Sequence, residues 1–289
     1  MNKPKGLHNI GNTCYLNSVI QLLVLCGDYI NFINNLNINS DKINLFKSFF
    51  NEYFKSQNSL SPSKIKEIIS SNNFFNGFEQ HDAHECLIYF LDIIDEEIKK
   101  NKIKSNNYFN HGYLTKITNT ERPEEKILKF YETILNLPFS ESLHDSYEKF
   151  CESELIENWE SEKYKNKVIA KKCNIVFEWP KYLFIMFKIY NNSSRKINNN
   201  IDIPLVWTIK NNYQNYSLIE TYEFRGSIIH FGSLNGGHYV SIIKQDDKFY
   251  LCNDDHISEL DTNKIQEFIK RSYLILFIKN DSRYDYTNN

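Results

Sequence analysis

The pattern of apolar residues changes near Lys181, and this change limits the folds open to this chain of 289 residues. Before Lys181 apolar residues recur mainly at helical spacing, and after it they form the short dense runs typical of buried strands. A helical first half followed by a strand-rich second half predicts an α+β fold with a mostly antiparallel sheet.

Four helices are predicted in the first hundred residues. The one at 82–99 has the longest apolar stripe, and the one at 13–25 has an apolar face at i, i+3, i+4 and i+7. Shorter helices are predicted at 41–54 and 62–70. Two polar stretches give weaker patterns: loops or a weak hairpin at 104–126, and a partly helical, charged segment at 143–165.

Strands are predicted in the second half, with Asp246-Asp247 as a hairpin turn between two of them. Loops are expected at 191–200, which is rich in Asn, and at 231–236, where we expect mobility beside a cleft. The predicted strands are 182–190, 222–230, 238–243, 248–252 and 272–278.

Composition excludes several classes of protein. The net charge of -2 gives no reason to expect nucleic acid as a partner, and no run of about 18 apolar residues predicts a membrane span. The polar N-terminus lacks the apolar core of a signal peptide. We therefore expect a cytoplasmic or nuclear protein. The heavy use of Asn, Ile and Lys suggests an AT-rich genome, and for a viral protein we would expect the host cell cytoplasm.

The six cysteines are widely scattered, and none forms a Cys-x-x-Cys pair. Such spacing does not suit a structural zinc site, so we expect no metal and no cofactor. Cys26 and Cys86 lie on apolar helix faces, where core packing explains them. Cys151 and Cys173 would make an incomplete metal site even if they approached each other.

Cys14 stands at the start of the first predicted helix. Backbone N–H groups and the positive end of the helix dipole favour a thiolate there, and a thiolate is a nucleophile. The alternative interpretation is a buried structural cysteine, which position alone favours.

His238 follows Gly236-Gly237 and opens a predicted strand, where it is well placed to act as a general base. The alternative is a tight turn with an incidental histidine. Asn253 and the acidic residues after it end the next strand, and antiparallel pairing would bring this end beside His238. A carboxamide or carboxylate there would orient the imidazole, although an ordinary acidic turn is the simpler interpretation.

Three motifs resemble those of the ubiquitin-specific proteases. The segment from Gly6 to Ser18, GLHNIGNTCYLNS, is similar to the cysteine box of that family. Gly236-Gly237-His238-Tyr239, together with 249–254, is similar to the histidine box, and QHDAHE at 80–85 is similar to a helix start between the two boxes. The resemblance spans residues 6 to about 278 and implies a papain-like fold with a helical thumb, an antiparallel palm and short fingers.

The resemblance also implies the roles of the catalytic residues. Cys14 would attack the carbonyl of the terminal glycine of ubiquitin, and His238 would exchange the protons. Asn253 would orient His238, with Asp254 as the reserve candidate. Asn9 would donate its amide N–H to the oxyanion, and its simpler interpretation is a turn residue.

Another set of residues would bind the tail of ubiquitin. Asp82 would face the basic part of the tail, or simply cap the helix in a box with Glu85. Gln21, in the first helix, is interpreted as a polar side chain exposed to solvent. The predicted substrate-binding residues are Gln80, Asp82, Glu85, Gly236, Gly237 and Tyr239.

The chain departs from the family in one respect. Most members carry two Cys-x-x-Cys zinc pairs in the fingers, but the matching stretches at 118–121 and 163–166 have none. We predict one catalytic domain over 1–289, with the thumb at about 1–104 and the fingers and palm at about 105–289. The expected partners are ubiquitin, ubiquitinated proteins and polyubiquitin chains. The alternatives are a catalytically silent ubiquitin-binding module and a protease for another ubiquitin-like modifier.

Overall fold

The computed structural model describes residues 3–70, 74–188, 200–213, 216–233 and 236–280. The described helices are α1 (Cys14–Leu23), α2 (Gly27–Asn34), α3 (Asp41–Lys55), α4 (Ser63–Ile69), α5 (Ala83–Lys100), α6 (Leu143–Cys151) and α7 (Ile265–Ile269). The described strands are β1 (His111–Asn119), β2 (Glu125–Glu132), β3 (Ile134–Pro138), β4 (Glu154–Glu160), β5 (Lys167–Glu178), β6 (Tyr182–Lys188), β7 (Val206–Tyr213), β8 (Tyr216–Ser233), β9 (Gly236–Gln245), β10 (Lys248–Asn253), β11 (His256–Leu260) and β12 (Ser272–Lys279).

The strongly periodic segments were predicted correctly. The four helices predicted in the first hundred residues are α1, α3, α4 and α5, and four predicted strands are β8, β9, β10 and β12. The strand predicted at 182–190 is confirmed as β6 up to Lys188. The loop predicted at 191–200 lies outside the described residues up to 199, as do residues 189–190 and 234–235. The other loop, predicted at 231–236, needs correction, because residues 231–233 belong to β8 and Gly236 begins β9.

The two weakly patterned segments are confirmed in part: 104–126 contains the hairpin that was one of its two predicted alternatives, and 143–165 is partly helical, as predicted. The stretch 104–126 contains β1 and the beginning of β2, which form a regular antiparallel hairpin with His111 opposite Glu132 and Thr118 opposite Glu125. Its strands are polar because much of β2 is exposed, and this removed the alternation that identifies a strand. Within 143–165 the helix α6 ends at Cys151, and β4 follows. The sequence patterns also failed to predict α2, α7, β3, β5, β7 and β11.

The described chain falls into two compact units. The first contains the residues up to Tyr108 together with Phe224–Leu276, and the second contains Phe109–Lys188, Ile201–Glu223 and the residues from Phe277 on. β8 and β12 each contribute residues to both units. The single catalytic domain and its division near residue 104 stay predictions.

The first unit combines helices α1–α5 with an antiparallel sheet in the order β8, β9, β10, β11. All ten residues of α1 are buried, because the helix packs against both β9 and α5. The predicted turn at Asp246-Asp247 is confirmed, since Gln245 pairs with Lys248 across it. No single helix among the described residues is long and apolar enough to span a membrane, and α1 and α2 pass that test only as a pair bent by 89°.

The second unit contains an antiparallel sheet in the order β2, β1, β5, β4, and a parallel pair of β3 with β6. One carboxylate joins the β1–β2 and β4–β5 turns, residues 120–124 and 161–166, which we call the hairpin tips. Glu124 accepts hydrogen bonds from the Ser161 hydroxyl at 2.6 Å and the Lys163 backbone N–H at 2.9 Å. These are the turns where the family resemblance predicted zinc pairs and the sequence has none.

Candidate active site

Cys14 is the first residue of α1, and its side chain is buried with 3% of its surface exposed. The chain reaches it through Gly11 and Asn12, which both have positive φ values of +115° and +52°. A Cβ atom on Gly11 would lie 2.4 Å from the ring of Phe78. Glycine therefore supplies both the left-handed backbone and the space that this turn needs.

The environment of Cys14 raises the pKa of its thiol. Burial has the largest effect and raises the pKa, and the Asp254 carboxylate raises it further. Hydrogen bonds from the backbone N–H groups of Tyr239, Tyr15 and Cys14 itself lower the pKa but do not reverse the shift. The backbone N–H groups at the helix start therefore lower the pKa in the expected direction, but burial outweighs them in the free chain, and a base is needed to remove the proton.

His238 and Asn253 are in contact. β9 pairs antiparallel with β10, and the Nε2 atom of His238 lies 2.6 Å from the Oδ1 atom of Asn253. Because an amide oxygen can only accept, this contact is a hydrogen bond in the tautomer with the proton on Nε2, and in that tautomer Nδ1 has a lone pair. The next residue, Tyr239, donates its backbone N–H to the sulfur of Cys14. The imidazole of His238 is thus held in place by Asn253, and the residue after it, Tyr239, bonds the thiol of Cys14.

Asp254 bonds two asparagine side chains from the start of the chain. Its carboxylate accepts from the Nδ2 atom of Asn9 at 2.9 Å and from the Nδ2 atom of Asn17 at 2.8 Å. Its backbone carbonyl accepts from the N–H of Leu7 at 2.9 Å. Asn253 contacts the histidine, whereas Asp254 anchors the segment that carries the cysteine.

The amide of Asn9 has a fixed orientation. Its Oδ1 atom accepts from the backbone N–H groups of Gly11 at 3.2 Å and Thr13 at 3.0 Å, while its Nδ2 atom donates to Asp254. A primary amide has two N–H donors. One binds Asp254, and the other is the donor that the predicted oxyanion role requires.

Gln80 holds the backbone of Gly237 with both ends of its amide. Its Nε2 atom donates to the Gly237 carbonyl at 3.1 Å, and its Oε1 atom accepts from the Gly237 N–H at 3.0 Å. A Cβ atom on Gly237 would lie 2.3 Å from the Nε2 atom of His230, so only glycine fits. Among the residues that the structure describes, a Cβ atom on Gly236 would meet only the Oε1 atom of Gln80, at 3.4 Å.

Asp82 caps α5 and binds two tyrosines. Its Oδ1 atom accepts from the backbone N–H groups of His84 at 2.7 Å and Glu85 at 3.2 Å, which confirms the predicted capping role. Its carboxylate also accepts from the hydroxyls of Tyr239 at 3.1 Å and Tyr273 at 2.9 Å. Asp82 therefore already has four donors in the free chain.

Glu85 lies at the same helix start, and its side chain is exposed. Partial burial raises the pKa of its carboxyl, and the neighbouring charge of Asp82 raises it further. A cation beside Glu85 would offset both effects. Of the two carboxylates, Glu85 is the more available to a basic ligand.

Three polar residues were missed or misjudged from the sequence. Gln21 is buried, donates to the Lys5 carbonyl at 2.7 Å and accepts from the Tyr53 hydroxyl at 2.8 Å, so its interpretation as a polar side chain exposed to solvent is wrong. Asn17 is also buried, and its position inside the cysteine box was the available signal. No sequence signal identified Tyr273 as a partner of Asp82.

Among the residues that the structure describes, no group of three or more His, Cys, Asp or Glu side chains is placed to hold a metal ion. Cys26 and Cys86 are fully buried, as expected for core packing. Cys151 and Cys173 are half-buried in the second unit. The absence of zinc stays a prediction, which chelation can test.

Comparison with known proteins relates this geometry to a family. A rice protein (Oryza sativa subsp. japonica), ubiquitin carboxyl-terminal hydrolase 26, is 26% identical over a gapped alignment of 285 positions that covers 89% of this chain and 26% of the relative. Ubiquitin carboxyl-terminal hydrolase 25 of Arabidopsis thaliana is 25% identical over a gapped alignment of 321 positions that covers 97% of this chain and 48% of the relative. The chain thus spans about a quarter and about half the length of these two relatives.

A solved structure shares the fold. The SAGA DUB module of Ubp8, Sgf11, Sus1 and Sgf73, bound to monoubiquitin, contains a chain that matches with a TM-score of 0.80 at 18% identity. The match covers 96% of this chain and 70% of that one, and it confirms the predicted α+β, papain-like fold class. A family model described as ubiquitin carboxyl-terminal hydrolase matches residues 5–277. Because this match runs over nearly the whole sequence, the chain belongs to the ubiquitin carboxyl-terminal hydrolase family.

Proposed function

We propose that the chain is a cysteine-type deubiquitinase that hydrolyses the isopeptide or peptide bond after the C-terminal glycine of ubiquitin. The observation that carries the proposal is the 2.6 Å contact between His238 and Asn253, which leaves Nδ1 of the histidine as a base. The raised pKa of Cys14 makes such a base necessary. Ubiquitinated proteins and polyubiquitin chains are the proposed substrates, and cytoplasm or nucleus the proposed location.

The proposed reaction begins when the sulfur of Cys14 attacks the glycine carbonyl carbon and Nδ1 of His238 takes the thiol proton. The carbonyl oxygen becomes an oxyanion, which the second N–H of Asn9 stabilises; such donors contribute about 10²–10³ in rate. The tetrahedral intermediate expels the lysine amine, which receives the proton from His238. Water then attacks the thioester with His238 again as the base, and releases the ubiquitin carboxylate and the thiol.

Binding of the ubiquitin tail is proposed to involve the residues around the Gln80–Gly237 contact. An extended peptide would bond the same backbone groups of Gly237 that Gln80 occupies, and Gly236 leaves space for a close approach. Glu85 is the proposed partner of a basic tail residue. Asp82 would act mainly by holding Tyr239, because its oxygens already have donors.

The test uses ubiquitin with an electrophilic vinyl group in place of its C-terminal carboxylate. We expect one covalent adduct per chain, on the peptide that contains Cys14. Absence of an adduct while ubiquitin still binds would indicate a catalytically silent binding module. Ubiquitin-like modifiers with the same electrophile, together with linkage-defined chains, distinguish ubiquitin from related substrates. Reaction with another modifier alone would contradict the proposal.

A further inference from the structure

The first unit contains a cavity of about 210 Å³ whose lining comes from four separate segments. Val24 and Leu25 follow the end of α1, and Ile243 lies near the end of β9. All three are buried, with at most 6% of their surface exposed, so they form an apolar floor. Phe54 from the end of α3 is 42% exposed and forms part of the rim.

The charged residues of the cavity are both positive. Lys3 and Lys5 line it, and none of the nine described lining residues is an aspartate or glutamate. The backbone of Lys5 is held in place, since its N–H donates to the Tyr53 hydroxyl at 3.0 Å and its carbonyl accepts from Gln21. The Lys5 end of this segment is therefore anchored, and the Lys3 ammonium donates to the Ile257 carbonyl at 3.4 Å. The two lysines place positive charge at the cavity, which therefore suits an apolar group with negative charge beside it.

The volume limits the size of the occupant. Sites for drug-sized ligands and cofactors are usually about 300–1,000 Å³. A cavity of about 210 Å³ is below that range and matches one large side chain. We propose that this cavity binds a single bulky apolar side chain, flanked by carboxylates, in an acidic segment of a partner protein.

The cavity lies away from the catalytic residues. α1 begins with Cys14, and its ten residues place about 15 Å between the nucleophile and the cavity at the other end. β9 likewise has His238 near its beginning and Gln245, another lining residue, at its end. A partner in the cavity would therefore leave the active site open, so this proposal does not depend on the proposed function.

The test is fluorescence anisotropy with a labelled peptide of sequence Asp-Glu-Trp-Glu-Asp and the intact chain. We expect saturable binding that weakens with added salt, because two charge contacts are screened. Replacing the tryptophan of the peptide with glycine should weaken binding by at least about tenfold, since the apolar side chain provides the anchor. Equal binding of both peptides, or no saturable binding of the tryptophan peptide, would overturn the proposal.

Variants of the chain locate the site. The double variant Lys3→Glu and Lys5→Glu should weaken binding by at least about tenfold, because it replaces attraction with repulsion. The matched control, Lys55→Glu with Lys104→Glu, makes the same charge change at exposed residues outside the lining and should change the Kd less than about twofold. Equal loss in both double variants would show general charge attraction only and reject the site.

A filling variant adds a second check. Leu25→Trp puts an indole ring into the cavity and should therefore abolish binding of the peptide. The melting temperature of the variant shows whether the chain remains folded. If this variant does not fold, the charge-reversal pair still decides the proposal. Full binding by folded Leu25→Trp would reject the cavity as the site.

Discussion

The active site and the hairpin tips both use a carboxylate that gathers hydrogen-bond donors from two segments. In the active site, Asp254 accepts from Asn9 and Asn17, which lie 245 and 237 residues away in the sequence. In the hairpin tips, Glu124 accepts from Ser161 and Lys163, which lie 37 and 39 residues away. The same kind of contact thus holds the segment that carries Cys14 in one region and joins two turns in the other.

The consequence of the carboxylate differs between the two regions. Asp254 lies near a thiol and raises the pKa of Cys14. At the hairpin tips no thiol is involved, and the hydrogen bonds act on Glu124 itself: partial desolvation raises its pKa, but the donors from Ser161, Lys163 and Asn119 together lower it. A carboxylate next to a thiol therefore changes the pKa of that thiol, whereas a carboxylate between two turns contributes only hydrogen bonds to the local structure.

The largest expected effect comes from removing the nucleophile. Cys14→Ala should reduce kcat for ubiquitin cleavage by about 10⁶ while ubiquitin binding persists, because the thiol acts in chemistry and other residues hold the tail. Cleavage of a fluorogenic ubiquitin substrate and a separate binding titration measure the two quantities. Cys151→Ala is the control, and substantial turnover by the Cys14 variant would reject the assignment.

A smaller loss is expected when the histidine is kept but its orientation is lost. His238→Ala should be nearly as damaging as Cys14→Ala, whereas Asn253→Ala should reduce kcat by between about 10² and 10⁴. The reason is that the imidazole transfers protons and Asn253 only holds it. Steady-state kinetics and thermal melts of both variants measure this difference. Unchanged kcat in folded Asn253→Ala would show that the 2.6 Å contact has no catalytic role.

The carboxylate of Asp254 should have a measurable effect on the thiol. Since the pKa of Cys14 is raised above its ordinary value, the alkylation rate at Cys14 should continue to rise with pH beyond that value. Asp254→Asn removes a charge that raises the pKa, so the rate curve should move to lower pH. Iodoacetamide labelling followed by peptide mapping measures Cys14 alone. Asp255→Asn is the control, and identical curves for both variants would contradict the electrostatic effect.

Changing the other carboxylate should have a local effect only. Glu124→Gln removes the charge and one acceptor, so hydrogen exchange at the Lys163 amide should become about tenfold faster while kcat stays unchanged. Glu121→Gln in the same turn is the matched control and should leave this exchange rate unchanged. A loss of kcat in Glu124→Gln would show that the hairpin tips affect the active site, contrary to the comparison.

No effect is expected from metal removal. A chelator such as 1,10-phenanthroline should leave the melting temperature unchanged, because loss of a structural zinc normally removes folding free energy. Metal analysis of the purified chain should give no stoichiometric zinc. A zinc content near one per chain, with unfolding on chelation, would contradict the prediction and direct attention first to Cys151 and Cys173.

At the candidate active site the sequence predicts which side chains meet, because His238 and Asn253 contact each other as expected. The positions of Cys14, His238 and Asn253 follow from motifs, and antiparallel pairing alone predicts that the last two meet. The raised pKa of Cys14 could not be predicted, because burial is a property of the folded chain. The contact of Gln80 with Gly237 could not be predicted from local sequence either, because the two residues are 157 apart in the chain.

Outside the site, regular patterns were predicted correctly and irregular ones were not. Helices α1 and α5 have clear apolar faces, so local spacing was sufficient. The β1–β2 hairpin was underestimated because exposed residues on β2 remove the alternation of apolar and polar side chains. Glu124 has no distinguishing sequence signal, because many polar residues could join two turns equally well.

The hydrogen bonds from Asn9 and Asn17 to Asp254 also have a consequence for synthesis of the chain on the ribosome. A ribosome adds about 5–20 residues per second, so roughly 10–50 s pass between the synthesis of Asn9 and that of Asp254. For most of that time the nascent chain carries Cys14 but not His238, and throughout it the chain lacks the carboxylate that anchors the cysteine segment. The proposed activity therefore begins only when translation has passed residue 254, and ubiquitin on neighbouring proteins is not cleaved by nascent chains that end before it.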